Sequence, residues 1–130
     1  MTFVDLVALL ALIQFMTFAV LCGKARGRYK VEAPATTGNP MFERYYRVQM
    51  NTLELLILFI PALYICAKYW NPFLCAGVGA IFIVGRILYF RAYIKDPSTR
   101  SLGYGLSALP VIILTVAALI GIFVKLVAGV

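Results

Sequence analysis

FVDLVALLALIQFMTFAVLC, residues Phe3 to Cys22, decides what kind of protein this is. The run holds one acid, Asp5, and one amide, Gln14. About 20 predominantly apolar residues are what an α-helix needs to cross about 30 Å of hydrocarbon. The stretch lacks the charged start and small-residue cleavage site of a secretory signal, so it is expected to remain as a membrane helix. Three further runs of similar length follow, at about Val48–Tyr69, Pro72–Tyr93 and Leu102–Val127. Four segments cannot close a barrel, and helices are then the only way to satisfy the backbone in lipid. The expected fold is all-α: an integral, multi-pass, four-helix up-down bundle, with residues 1–130 forming a single transmembrane domain.

Composition agrees. Of 130 residues, 63% are hydrophobic and 13% charged, whereas a soluble domain is usually about half apolar and about a quarter charged. The nine Phe, eight Tyr and one Trp suit membrane interfaces. A net charge of +7 raises nucleic acid as a partner. It is set aside, because the basic residues interrupt long apolar runs and build no soluble patch. The chain has no His. That removes imidazole acid–base chemistry, Ser-His and Cys-His nucleophiles and His metal sites, and no metal is expected. Cys22, Cys66 and Cys75 lie in or beside apolar runs without C-x-x-C spacing. They read as small apolar fillers, and no structural disulfide is expected.

Charge sets the orientation. The hydrophilic stretch 23–49 carries Lys24, Arg26, Arg28, Lys30, Arg44 and Arg47 against Glu32 and Glu43. Its middle, Ala33–Pro40, is too rich in turn residues to continue a helix. The connection after the third run carries Arg91, Lys95 and Arg100 against Asp96, while the second connection has only Lys68 and the tail only Lys125. By the positive-inside rule the first and third connections are cytoplasmic. Pro61 and Pro110 fall inside the second and fourth runs, as bends or as tolerated membrane prolines.

The second run opens Arg47-Val48-Gln49-Met50-Asn51-Thr52-Leu53-Glu54. At about 100° per residue, Arg47, Asn51 and Glu54 fall within about 60° of one another. The third run closes Arg86-Ile87-Leu88-Tyr89-Phe90-Arg91-Ala92-Tyr93, where Arg86, Tyr89 and Tyr93 share a second stripe. Both stripes sit at the cytoplasmic ends of their helices, at one depth, and can face each other within a bundle or across a subunit contact. A charge inside a span costs about 2.5–3.5 kcal/mol on insertion scales, so it normally has a partner or a function. Two readings stand. In one, Glu54 pairs with Arg86 or Arg47 and only locks the bundle. In the other, the arginines hold carboxylates through paired hydrogen bonds and Glu54 holds an ammonium. Asn51, Gln49 and the tyrosine hydroxyls then add neutral contacts, and the ligand is a small zwitterion with excess negative charge.

Asp96-Pro97-Ser98-Thr99-Arg100 adds to this. Asp96 suits an N-cap and Pro97 the first helical position, which puts Arg100 in the first turns of the fourth helix. There it either holds an anion such as a thiolate, helped by the helix N-terminus, or snorkels to the interface. Most basic residues after the first run suit topology and anionic lipid headgroups.

Thr36–Glu54, with its F-E-R-x-Y-R-x-Q-x-N-x-x-E run, resembles the signature of the membrane-associated proteins in eicosanoid and glutathione metabolism. Gly85–Tyr93 followed by Arg100 resembles that family's second segment, and the likeness covers nearly the whole chain. It is nearest to the microsomal glutathione transferase and leukotriene-synthase-like branch. The resemblance implies a homotrimer, with glutathione as co-substrate bound near the cytoplasmic surface between subunits. The positions matching family glutathione contacts are Arg26, Arg47, Gln49, Asn51, Glu54, Arg86, Tyr89 and Tyr93, and Arg100 matches the arginine that stabilises the thiolate. Two positions depart from the family pattern. Leu55 stands where the family has a tyrosine after the Glu. Gly27 stands where leukotriene-forming members carry a second arginine. Both weaken a leukotriene-specific function more than a general transferase one.

The implied chemistry is conjugation of glutathione thiolate to lipophilic electrophiles arriving through the bilayer, with lipid hydroperoxide reduction as an allied activity. A free thiol ionises near pH 8.5, and lowering that by about two units is worth about 2.7 kcal/mol. Nothing resembles a general base. The host membrane is the inner membrane in a bacterium or the endoplasmic reticulum in a eukaryote, with the site on the cytoplasmic side. Two rival functions are a non-catalytic lipid-binding scaffold like the lipoxygenase-activating protein and a small multidrug transporter. The retained Arg100 speaks against the first. Against the second, the essential carboxylate of such transporters lies in the first span, which here offers only Asp5 near its end.

Overall fold

The computed structural model describes residues 1–129. Four helices follow in order, α1 (Thr2–Arg28), α2 (Pro40–Tyr69), α3 (Pro72–Lys95) and α4 (Ser101–Val127), with a 3₁₀ turn at Pro97–Thr99 before α4. All four are long and apolar enough to cross a membrane. At about 1.5 Å per residue they reach about 36–45 Å, which exceeds about 30 Å of hydrocarbon, so their ends stand in the headgroup region. α2 and α3 are central: α1 packs on both, and α4 packs on both from elsewhere, most extensively on α3. Outward-facing Leu9, Ile57, Leu58, Phe73, Val84, Ile112 and Phe123 are exposed, as lipid-facing side chains should be.

The helices run further than the apolar runs that announced them. α1 continues to Arg28, and α2 starts at Pro40 rather than near Val48, so the irregular segment shrinks to residues 29–39. The reason is local. Asn39 is extended, and its side-chain oxygen accepts from the backbone N–H of Met41 (2.9 Å) and Phe42 (3.1 Å), with Pro40 at the first helical position. Hydropathy reports membrane depth, whereas the cap sets where the helix begins. Asn71 and Pro72 open α3 in the same way, Asn71 accepting from the N–H of Phe73 at 2.8 Å. Pro61 and Pro110 both lie inside unbroken helices.

Side chains fasten the bundle at several depths. Gln14 donates to the carbonyl of Ile83 (2.9 Å), joining α1 to α3. The rings of Phe59 and Phe82 stack at 4.0 Å between α2 and α3. Trp70 donates its indole N–H to Ala117 (2.6 Å), and the Tyr64 hydroxyl donates to Asp5 (2.8 Å). Cys66 and Cys75 are free thiols, both buried, with sulfurs 3.3 Å apart. Spacing in the sequence gave no sign of that contact, because the α2–α3 hairpin creates it.

Two glycines let α3 and α4 touch. A Cβ on Gly85 would lie 2.6 Å from the backbone of Leu106, and one on Gly103 would strike the backbone of Tyr89. Small residues at such crossings allow backbones to approach closely in membrane bundles.

Candidate functional site: a cationic cavity at the arginine-rich end

The arginine-rich ends of the four helices lie together. There, α2, α3 and α4 surround a cavity of about 720 Å³, lined by Arg47 and Asn51 from α2, Tyr89 and Tyr93 from α3, and Arg100, Ser101, Tyr104 and Gly105 around the start of α4. Five of the nine residues singled out in the sequence therefore meet at one cavity.

Arg86 lies behind that wall, fully buried at 0% exposure. Its Nε donates to Ser107 Oγ (2.8 Å), and Nη1 donates to Asn51 Oδ1 (2.7 Å) and Thr52 Oγ1 (3.2 Å). Its guanidinium carbon sits 4.2 Å from the centre of the Tyr89 ring. Among the described residues Nη2 is buried without a partner, and every hydrogen-bond acceptor around the group is a neutral oxygen. Of the two partners read for Glu54, Arg86 is not the one it takes. Glu54 pairs with Arg47 at 3.3 Å, both about half exposed at 56% and 48%. An exposed pair of this kind is worth about 0–1 kcal/mol, so Arg47 is readily released to another carboxylate. Arg86 in turn fixes Asn51 through its carbonyl oxygen, which keeps the amide N–H groups available to donate.

Arg100 precedes α4 rather than sitting in its first turns, and the reason is the 3₁₀ turn. Asp96 accepts from the Ser98 N–H (3.1 Å) and hydroxyl (2.8 Å), so it caps Pro97–Thr99 and not α4 itself. Arg100 is the residue at the α4 N-cap, and its Nη1 donates to the Pro97 carbonyl (2.9 Å). Hydrogen bonds from Ser98, with Arg44 nearby, hold the Asp96 carboxyl below its ordinary range. Arg44 donates to the last carbonyls of α3, Ile94 (2.8 Å) and Lys95 (3.2 Å), tying the start of α2 to the approach to Arg100.

Three predicted residues stay outside the cavity. Gln49 lies about 160° round α2 from Asn51, on another face. Glu54 reaches it only through Arg47. Arg26 donates to the carbonyls of Val31 (3.3 Å) and Ala35 (2.8 Å) and lies 4.7 Å from the centre of the Phe42 ring, where it pins the 29–39 segment to α2. Residues passed over in the sequence are Thr52 and Ser107, which serve Arg86, and Tyr104, whose ring is 6.3 Å from that of Tyr89. A hydroxyl in an apolar run at the depth of a buried arginine was the available signal for Ser107.

Fold and site thus define a class: a four-helix membrane protein with a tyrosine- and arginine-lined cavity at one end. Residues 4–120 match the MAPEG family profile, and the chain belongs to that family. It is 39% identical to human microsomal glutathione S-transferase 2 over 116 residues, covering 89% of this chain and 79% of that protein. It is 33% identical to guinea-pig (Cavia porcellus) leukotriene C4 synthase over 102 residues, covering 74% and 68%. An uncharacterized protein of Synechocystis sp. is 42% identical over 121 residues, covering 93% and 88%.

Proposed function

We propose that the chain is a membrane-bound glutathione transferase that conjugates the glutathione thiolate to lipophilic electrophiles. The observation that carries this is the charge balance of the cavity. Arg47 and Arg100 line it, Arg86 lies behind its wall, no lining residue carries a carboxylate, and Glu54 reaches it only through Arg47, so these four groups leave an excess of two positive charges. Glutathione brings two carboxylates, an ammonium and a thiol, so its thiolate form carries two net negative charges. The named activities of the relatives support the same reading.

The contacts support the following roles. Arg47 exchanges Glu54 for a ligand carboxylate, and Glu54 is then free for the ammonium. Asn51 donates from its amide. Arg86 supplies charge from behind the Asn51–Tyr89 wall without needing to move. Arg100, on the lip at the start of α4, holds the sulfur as thiolate, and the thiol proton leaves to water. Arg26 and Gln49 complete the site in a homotrimer, where the cavity of one copy meets α1 and α2 of the next. The electrophile enters from lipid along the apolar groove of about 560 Å³ between α2 and α4, bounded by Ile57, Pro61, Val111 and Thr115. Reduction of lipid hydroperoxides uses the same thiolate. The cavity faces the cytoplasmic side of the host membrane, a reading the basic connections support.

The test is a glutathione titration of purified protein, read by ultraviolet absorbance in the thiolate band and followed by chlorodinitrobenzene conjugation. Saturable thiolate absorbance with turnover is expected. Glutathione binding without either signal would make the protein a scaffold.

A further inference from the structure

The sulfurs of Cys66 and Cys75 lie 3.3 Å apart at the end of the bundle opposite the cationic cavity. Cys66 is one turn from the end of α2 and Cys75 is in the first turn of α3, joined through Trp70 and Asn71. Both are buried, at 2% and 4% exposure, within the apolar core between these helices. Cys22, the third thiol, lies near the other end of α1 and packs with Ala25, Val31 and Phe42. A disulfide needs its sulfurs at about 2.05 Å, so closing the bond asks for roughly 1.3 Å of approach. Helix ends at a two-residue connection are where such a movement is easiest.

We propose that Cys66 and Cys75 form a redox-active dithiol that closes to an intrachain disulfide when a membrane-dissolved organic hydroperoxide reaches it. Burial in the core shields both thiols from water and lipid alike, so the oxidant meets them when the α2–α3 connection opens, where a hydroperoxide dissolved in the bilayer is at hand. One sulfur attacks the terminal oxygen of the hydroperoxide, the O–O bond breaks, and the alcohol departs with that thiol's proton. The sulfenic acid left behind is attacked by the second sulfur. The S–S bond forms, and the hydroxyl leaves as water with the second proton. Two thiols and one hydroperoxide give one disulfide, one alcohol and one water. The two sulfurs lose the two electrons that the peroxide oxygens gain. The adjacent thiol makes the second step intramolecular, which favours the disulfide over further oxidation. The site is independent of glutathione, so its fate and that of the transferase function are separable.

The experiment treats the full chain in phosphatidylcholine vesicles with cumene hydroperoxide, without glutathione. It then denatures the protein, alkylates it with N-ethylmaleimide and measures the intact mass. With three free cysteines, untreated protein takes three labels. Treated protein is expected to take one, to carry a Cys66–Cys75 linked peptide, and to regain three labels after dithiothreitol. Cys22→Ser should leave the linkage intact, and Cys66→Ser and Cys75→Ala should each abolish it. Three labels retained under hydroperoxide that oxidises a soluble dithiol in the same vesicles would overturn the proposal. Disulfides found only between separate copies, or loss of two labels in both Cys66→Ser and Cys75→Ala, would overturn it equally.

Discussion

Arg86 shows how a single side chain can be structural and electrostatic at once. Its contacts to Ser107, Asn51 and Thr52 are all to neutral oxygens, so it joins α2, α3 and α4 while keeping its charge uncancelled. Ser107→Ala removes the acceptor of Nε and should cost about 1–3 kcal/mol, the usual penalty for orphaning a buried donor. Thermal unfolding in detergent measures it, and an unchanged midpoint would show that water replaces the hydroxyl. Arg100 is the opposite case, exposed and held by one bond to a carbonyl. Arg100→Ala should therefore leave glutathione bound through the inner groups while the sulfur's ionisation returns towards about pH 8.5, so only a few per cent is thiolate at pH 7. An undiminished thiolate band in that variant would remove Arg100 from its role. Both arginines stood out in the sequence, but their difference did not. Nothing in Arg86-Ile87-Leu88-Tyr89 says whether the guanidinium faces a cavity or is enclosed behind one, because Ser107 and Asn51 arrive from other helices.

At the scale of elements, the junction between α3 and α4 carries most of the site's geometry. Gly85 meets the backbone of Leu106 with no room for a methyl group, so Gly85→Ala should push α4 and Arg100 away from Tyr89. The expected cost is about 1–3 kcal/mol in stability, as for overpacking elsewhere, together with weaker glutathione binding. Gly77→Ala is the control: a Cβ there meets nothing within 4 Å, and the gain in helix propensity should stabilise by about 0.5–1 kcal/mol. If both variants behave alike, close approach is not what Gly85 provides. The turn before α4 adds a pH dependence. The Asp96 carboxyl is held below its ordinary range by Ser98, so its stabilising effect is fully present above the unfolded value and fades as pH falls below about 4. Stability of the native protein should fall in that window, less so in Asp96→Asn, and thermal unfolding across it checks the sign. The sequence revealed these elements unevenly. Four apolar runs gave four helices, and Asp96-Pro97 announced a cap. Which helix that cap begins was not legible, because three residues of 3₁₀ turn cost nothing in hydropathy. The closeness of α3 and α4 was equally hidden, since Gly85 and Gly103 are ordinary membrane glycines until their neighbours are known.

For the whole molecule, the two ends of the bundle carry different chemistry. One end gathers arginines, tyrosines and Asn51, and the other gathers Asp5, Tyr64 and the thiol pair. This polarity follows from loop charge and survives folding intact. Arg47 and Arg100 remain exposed beside the cavity, and Arg26 and Gln49 do not line it. If the proposed homotrimer completes the site, glutathione must stabilise the assembly by the same factor with which assembly strengthens glutathione binding, because linkage is reciprocal. Ligand at about 100 times its dissociation constant then adds about 2.7 kcal/mol to the assembled state. Dilution in detergent, with mass photometry reporting subunit number, should show trimers persisting to lower protein concentration when glutathione is present. Arg47→Ala should lose most of that shift while leaving ligand-free assembly unchanged, since its ion-pair partner among the described residues, Glu54, lies on the same helix. A monomer that binds glutathione as tightly as the trimer would mean that the cavity of one chain is sufficient, and that Arg26 and Gln49 serve only the fold.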